Sequence, residues 1–375
     1  MRVLCAQALG VRGAHRCLEG GGSLGPFGVR TLLFGSGASG ALLLALAAAA
    51  WSLGTQRVTG SLGTQRVTGW LLADRGSDQL LQIDRELRVT GWQPAAEPLR
   101  VVSRGPGLGR EHAVFGPDAW WIEGLGGDPF GPHRLHALSL PLTNAEHSSP
   151  ALSKGMDAAG GQWTYIRDLA VDGDGVAYVL SGALEDPEGE LWCVRRGEAP
   201  LLLATLEGAL KLVWTGAHLA CGGSAGQLWR LTAGGRILSE AQVGTEIHAL
   251  VADDAHLWCL DASGVLRRLG ADLELLWSVD LGFTPGPLAV DRDHVAWVAA
   301  EGQPFLQPVD AEGGLLTPVT DVGGDSWTDL DAHAPTPLGA APGYVLQLDA
   351  YGAALASQGG FGYLSDLTAL CSAGS

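Results

Sequence analysis

The chain has 375 residues but only two lysines, Lys154 and Lys211, and a single asparagine, Asn144. A groove for nucleic acid needs clustered Lys and Arg. With 23 basic against 40 acidic residues and a net charge of -17, nucleic acid is set aside as a partner. The acidic surface implies solubility and leaves cations or basic partners as candidates. Charge of either sign is scarce, at 17% of residues. Long Glu/Lys/Ala runs at helical spacing are missing, which argues against a helical domain. None of the six cysteines (Cys5, Cys17, Cys193, Cys221, Cys259 and Cys371) belongs to a CxxC pair, so no zinc or redox motif is readable. The four beyond the N-terminal region read as small buried apolar side chains, with a pairing of Cys193 left open. The stretch GPGLG at Gly105–Gly109 lacks the Lys-Ser/Thr and the helix of a phosphate loop, and reads as a connection between strands.

What the chain has in quantity is glycine, 56 residues, and tryptophan, 13. Short apolar runs broken by Gly, Asp and Pro fill most of its length, the pattern of an all-β protein.

The N-terminal region is of another kind. No charge occurs from Thr31 to Gln56, and Arg2, Arg12, Arg16 and Arg30 precede that run against one Glu19. A basic flank, an apolar stretch and then small residues describe a secretory signal, with Ala48 and Ala50 before a cleavage at Trp51. The run is also long enough for a retained membrane anchor. Residues 1–51 are therefore expected to be a signal peptide or anchor, and the remainder to be extracytoplasmic. The nonapeptide SLGTQRVTG then occurs twice in tandem, from Ser52 to Gly69. Its place between an export segment and a domain marks residues 52–69 as a linker that tolerates duplication. RVTGW returns at Arg88–Trp92, so the second copy resembles a strand.

From Trp70 onward a longer repeat governs the chain. RDLAVDGDGVAYVLSG (167–182), LKLVWTGAHLACGGSAG (210–226), HALVADDAHLWCLDASG (248–264) and GPLAVDRDHVAWVAAEG (286–302) each read as strand, polar turn and strand. A shared leucine falls at Leu169, Leu212, Leu250, Leu288, Leu330 and Leu367, about 40 residues apart. Each unit is followed by two further strands joined by a Gly/Asp turn. Four strands per ~40 residues is the period of a β-propeller blade. The last unit, at Ser365–Leu370, is a first strand without successors, and the chain after the linker begins with the other three strands of a blade. Pairing the two ends closes the ring and removes exposed sheet edges. The expected fold is all-β: a propeller of seven four-stranded blades over residues 70–375. A long, irregular second blade at about Leu99–Ser148 leaves six as the alternative.

On these residues, AVDGDGVAYVLSG resembles the NHL-type repeat, and LWCLDASGVLRRLGADLELLWSVDLG is similar to the PQQ-like blade motif. The resemblance covers Trp70 to Leu370 and implies propeller architecture. Propellers of these kinds act as binding platforms and scaffolds, and less often as hydrolases, lyases or quinoprotein enzymes, and fold alone does not choose among them. A lactonase-like propeller would hold a divalent metal with Glu, Asn and Asp, which a chain with one Asn fits poorly.

The residues before the shared leucine line the central channel: Asp168, Lys211, Ala249, Pro287, Asp329 and Asp366. Three carboxylates at equivalent radial positions could hold a cation or raise one another's pKa. The competing reading has each Asp bonding an adjacent loop. Asp172–Gly175 (DGDG) recurs in other blades at Asp253-Asp254 and Asp291–Asp293, so it reads as a structural turn rather than a calcium loop. Trp70, Trp121, Tyr178, Trp258 and Trp297 read as one aromatic column between blades. His112, His133, His136 and His147 crowd the second blade with Glu111 and Glu146, without a spacing that favours convergence on a metal. No complete catalytic constellation and no cofactor motif stands out.

The sequence thus favours a monomeric, exported, non-catalytic scaffold for a protein or glycan ligand. Its binding loops would be EGLGGDPFGPHRLH (123–136) and SGALEDPEGELW (181–192), and Asp168, Lys211, Asp329 and Asp366 its candidate ligand-binding residues. The alternative is a hydrolase or lyase acting through Asp168, Asp329 and Asp366, with a divalent cation as an option. A membrane would be met only through the N-terminal segment.

Overall fold

The computed structural model describes residues 66–103, 119–125, 131–142, 158–182, 187–253, 256–320, 327–332, 337–349 and 351–372. These form seven four-stranded antiparallel sheets. Blade 1 runs outward from the axis as β28 (Leu364–Ser372), β1 (Arg66–Asp74), β2 (Gln79–Asp84) and β3 (Val89–Pro94). Blade 2 comprises β4 (Pro98–Ser103), β5 (Ala119–Gly124), β6 (His133–Leu138) and β7 (Ala158–Trp163). Blade 3 comprises β8 (Ile166–Val171), β9 (Ala177–Ser181), β10 (Glu188–Val194) and β11 (Leu201–Glu207). Blade 4 comprises β12 (Ala209–Trp214), β13 (Leu219–Gly223), β14 (Gln227–Leu231) and β15 (Ile237–Gln242). Blade 5 comprises β16 (Ile247–Ala252), β17 (Leu257–Asp261), β18 (Val265–Leu269) and β19 (Leu275–Asp280). Blade 6 comprises β20 (Pro285–Val290), β21 (Ala296–Ala300), β22 (Phe305–Val309) and β23 (Val319–Thr320). Blade 7 comprises β24 (Asp329–Asp331), β25 (Leu338–Ala341), β26 (Tyr344–Leu348) and β27 (Ala354–Gly359).

The innermost strands neighbour one another in the order β28, β4, β8, β12, β16, β20, β24 and back to β28, so the ring is closed. Closure rests on the pairing of β28 with β1, in which Leu72 faces Leu367 and Trp70 faces Ala369. The seven-blade expectation holds, and blade 2 extends beyond the sequence estimate, to Trp163.

The reason for this shape lies in side-chain alternation. A sheet that buries one face only cannot stand alone, whereas strands of a propeller bury both faces against neighbours. The second strands accordingly read as unbroken buried runs, such as Ala177–Ser181 and Ala296–Ala300. Seven apolar clusters fill the seven gaps between blades; Trp120 packs with Leu169 and Val179 between blades 2 and 3, and Trp258 with Leu288 and Val298 between blades 5 and 6.

The aromatic column needs correction. Register places Trp120, not Trp121, beside Tyr178, Trp258 and Trp297: each is one residue before the one facing Val101, Leu169, Leu250 or Leu288. Trp121 and Trp70 point the other way along the ring, into the gaps between blades 2 and 1 and between blades 1 and 7. Strand side chains alternate, so a one-residue slip changes which blade an aromatic meets.

The start of β1 shifts a boundary. The strand begins at Arg66, inside the second nonapeptide copy, where Val67 is buried and the Thr68 hydroxyl donates to the Leu370 carbonyl at 3.1 Å. The linker thus ends before RVTG. The candidate signal segment, the first nonapeptide copy, GPGLG, His112 and His147 lie outside the described residues. Cys193, Cys221 and Cys259 are free and buried, as expected of apolar fillers.

Candidate functional site: the charged mouth of the channel

Six of the seven innermost strands begin with a bulge, β24 being the exception. Register breaks fall between Leu364 and Asp366, Pro98 and Arg100, Ile166 and Asp168, Ala209 and Lys211, Ile247 and Ala249, and Pro285 and Leu288. A bulge leaves one residue outside the ladder and re-aims its neighbours. Here the unpaired residue and the one after it are free to bond the next blade. Ser365 Oγ donates to the Pro98 carbonyl at 2.8 Å, and Arg167 Nη1 donates to the Ala209 carbonyl at 2.7 Å.

The following residue supplies acceptors. Asp366 Oδ2 accepts from Val101 N at 2.7 Å, Asp168 Oδ2 from Leu212 N at 2.7 Å, and Asp329 Oδ2 from Leu367 N at 2.9 Å. In every case the donor belongs to the next blade. The carboxylates act as clasps between neighbouring innermost strands, and each satisfies a backbone N–H that the bulged ladder leaves over.

Around the ring these positions read Asp329, Asp366, Arg100, Asp168, Lys211, Ala249 and Pro287, in blades 7, 1, 2, 3, 4, 5 and 6. Five charged residues form an arc, and Ala249 and Pro287 leave the remaining sector apolar. Arg100 was not foreseen, because Val101 stands where other blades carry the marker leucine. Its Nη1 contacts Asp168 Oδ1 at 2.5 Å, and Asp168 is almost wholly buried.

The electrostatics follow from this order. Burial, then the adjacent Asp366 carboxylate, pushes Asp329 well above the usual carboxylate range. Burial also raises Asp366, while the Arg100 guanidinium pulls it back. Asp329 and Asp366 therefore share a proton as a pair. Burial opposes the charge on Arg100, but Asp168, Asp366 and Asp329 outweigh it and raise its pKa. Burial depresses Lys211, with Asp168 opposing and Arg100 reinforcing the shift. His248, the bulged residue of blade 5, is lowered by burial and then by the Lys211 charge.

Of the four sequence candidates, the structure brings Asp329 and Asp366 together and sets Asp168 and Lys211 on the far side of Arg100. A three-carboxylate cation site is not formed: among the described residues no group of three His, Cys, Asp or Glu side chains could hold a metal ion.

The other motifs resolve into turns. Asp172 Oδ1 accepts from the backbone N of Asp174 and Val176, and Oδ2 from the Tyr178 hydroxyl. Asp291 does the same for Asp293, Val295 and Trp297 Nε1. Both oxygens of each carboxylate are thus spent within the turn. The spacing Gly-x-Ser-x-Gly at Gly222–Gly226 is the turn between β13 and β14, without the helix that a nucleophile elbow requires. His133 and His136 do not converge either. His133 Nδ1 accepts from Ile166 N at 3.0 Å, whereas His136 Nε2 bonds Glu123 Oε2 at 2.6 Å and stacks on Trp121.

A cluster that the sequence did not announce lies at the opposite end of blades 5 and 6. Asp253 Oδ2 accepts from Trp258 Nε1 at 2.9 Å and lies 2.9 Å from His294 Nδ1, while Oδ1 lies 3.0 Å from His256 Nδ1. Arg268 stacks over the Trp258 ring and donates to the Ala311 carbonyl in the next blade. The signal was present in three turns of one form, Thr215-x-x-His218, Asp253-x-x-His256 and Asp291-x-x-His294.

No family model matches the chain, and no curated protein matches it. Matching solved structures include the β-propeller domain of Cps50 (Swd1) from Myceliophteria thermophila, at 11% identity and a TM-score of 0.49, covering 77% of this chain and 97% of that one. Blade number and closure rest on the strand order above.

Proposed function

We propose that the protein is an exported, non-catalytic propeller that binds a protein or glycan partner on the face bearing the β5–β6 and β9–β10 connections. A β-propeller scaffold fits a binding role. The observation that carries the reading is the use made of the mouth carboxylates. Asp168, Asp329 and Asp366 each hold a backbone N–H of the next blade, and Arg100 balances them. Groups so engaged serve the ring rather than a substrate.

The two long connections leave from this same end. Gly124 pairs with His133 and Glu123 with Pro98; Ser181 pairs with Ile166. The strand ends that the connections join belong to adjacent blades and lie at the end of the ring that carries Arg100 and Asp168, on the rigid scaffold that binding loops need. The reading is tested by shortening residues 125–132 and 182–187 together and measuring retention of the partner that the wild-type chain captures. Loss of capture with unchanged far-UV dichroism supports it; full capture refutes it.

One observation favours the alternative, a channel-mouth hydrolase or lyase. The Asp329–Asp366 pair holds a proton at a pH where carboxyls are usually ionised, as a general acid would. Turnover abolished by Asp329→Asn with capture intact would favour that reading. Export is supported by the uncharged run Thr31–Gln56 behind four arginines, and N-terminal sequencing of the mature chain tests it. The repeats are read as NHL- and PQQ-like on the motifs quoted above.

A further inference from the structure

Lys211 stands apart from the rest of the charged arc. Asp168, its neighbour in blade 3, is committed to Arg100 and to the backbone N–H groups of Leu169 and Leu212. Among the described residues, no hydrogen bond or ion pair holds the Lys211 ammonium. The side chain is half-buried, yet its Nζ is not among the buried polar atoms, so the amine reaches the channel water. On its other side the mouth turns apolar, with Ala249 and Pro287 at the equivalent positions of blades 5 and 6.

A cation in that place has no carboxylate bonded directly to it among the described residues. The titratable and charged groups that act on it are Asp168, Arg100 and Glu246, with His248 on the next blade. Desolvation dominates and Arg100 adds to it, so this amine gives up its proton more readily than an exposed lysine does. Lysines made nucleophilic in proteins arise in this way, by an apolar surround and a second cation nearby.

We propose that Lys211 is a reactive amine that captures small apolar aldehydes at the channel mouth as a reversible imine. The nitrogen lone pair attacks the carbonyl carbon and forms the C–N bond. The carbinolamine then expels the carbonyl oxygen as water, taking up the protons the nitrogen gives off: RNH2 and O=CHR′ give RN=CHR′ and H2O. No oxidant or reductant enters. His248, half-buried on that side with its pKa lowered, can take the proton that the attacking nitrogen gives off and pass it to the leaving hydroxyl. The sector formed by Ala249 and Pro287 receives the aldehyde's alkyl tail. This goes beyond the binding of a partner on the loop face and does not depend on it.

With only two lysines in the chain, the site can be mapped directly. The full chain is treated with hexanal and cyanoborohydride at pH 7, native and in urea, and the reduced adduct at each lysine is followed by peptide mass spectrometry. An activated amine is labelled at Lys211 at least tenfold faster in the native protein than in the unfolded chain. An acceleration below tenfold, or protection on folding, overturns the proposal. Lys211→Arg must remove the native adduct while Lys154→Arg keeps it. The wild-type comparison decides the matter even where a variant fails to fold.

Discussion

Replacing Asp168 with alanine tests the clasp directly. The carboxylate is almost wholly buried, accepts from Leu212 N at 2.7 Å and Leu169 N at 2.8 Å, and pairs with Arg100. Its removal leaves the Leu212 N–H, on the next blade, without its partner, which costs about 1–3 kcal/mol. Arg100 is left as a charge without its closest anion. Breaking a fully buried pair costs about 3–5 kcal/mol, but the Arg100 side chain is 37% exposed and can turn to water. Its share is therefore nearer ~1 kcal/mol, and the total about 2–4 kcal/mol. At ~2.1 cal/mol/K per residue, a propeller of about 300 residues has an unfolding entropy near 0.6 kcal/mol/K, so the expected fall in Tm is roughly 3–6 °C. Asp168→Asn keeps an oxygen for Leu212 N and should lose about half as much. Urea titration followed by tryptophan fluorescence gives the values. A cost below ~0.5 kcal/mol for Asp168→Ala would refute the clasp, because an unengaged surface carboxylate costs that little.

The remaining predictions concern the ends, the titrating groups and the thiols. Deleting either nonapeptide copy gives the same protein, with RVTG still before Trp70, so stability should change by less than ~0.5 kcal/mol; Val67→Asp, in the same stretch, buries a charge at a fully buried position and should cost more than ~2 kcal/mol in urea. Asp329 keeps its proton in the fold while the unfolded chain releases it near 3.8, so the pair's contribution is lost as pH rises from 3.8 through the folded pKa. Asp329→Asn, whose amide can donate to Asp366, should raise stability at pH 7–8 and flatten that slope in pH-dependent unfolding. His136, His218 and His248 are all lowered by burial, so their contribution is present above pH 6.5 and is lost as pH falls from there through their folded pKa values; Tm should drop between pH 6.5 and 5. Burial pushes Cys259 up to about 12 and Cys221 higher still, so neither should react with a disulfide reagent at pH 8 until urea unfolds the chain.

The architecture was legible because it repeats. Leu169, Leu212, Leu250 and Leu288 mark equivalent strands at a spacing that only a blade fits, and the orphan strand at Ser365–Leu370 announced the closure. Blade 2 was harder for two reasons: Val101 replaces the marker leucine, so Arg100 was not marked, and Trp120 and Trp121 stand side by side, so the aromatic column slipped by one residue. Alternation has no memory of which of two adjacent aromatics faces which neighbour; only the pairing of Trp121 with Val101 fixes it. The mouth carboxylates were found by position, but their task was not. The same three aspartates suit a cation site or a set of clasps, and the choice depends on the bulges that offer them backbone N–H groups. Sequence periodicity does not show a bulge, since one extra residue is lost in spacings that vary from 37 to 43. The Asp253 cluster escaped for another reason: its members come from the turns and strands of two blades, and nothing in the local pattern joins His256 to His294.

The claim that partner binding belongs to the face of the long connections is tested most directly by placing a photo-crosslinking residue on each face of the full chain. Thr164, between β7 and β8, is exposed at the strand ends from which the two long connections leave, whereas Tyr351, in the turn between β26 and β27, is exposed at the opposite end of its blade. Both are replaced singly with benzoylphenylalanine, and the covalent adducts formed in the producing cells are compared. The account predicts a discrete adduct from position 164 and none from position 351. Adducts from position 351 alone, or equal adducts from both, would contradict it.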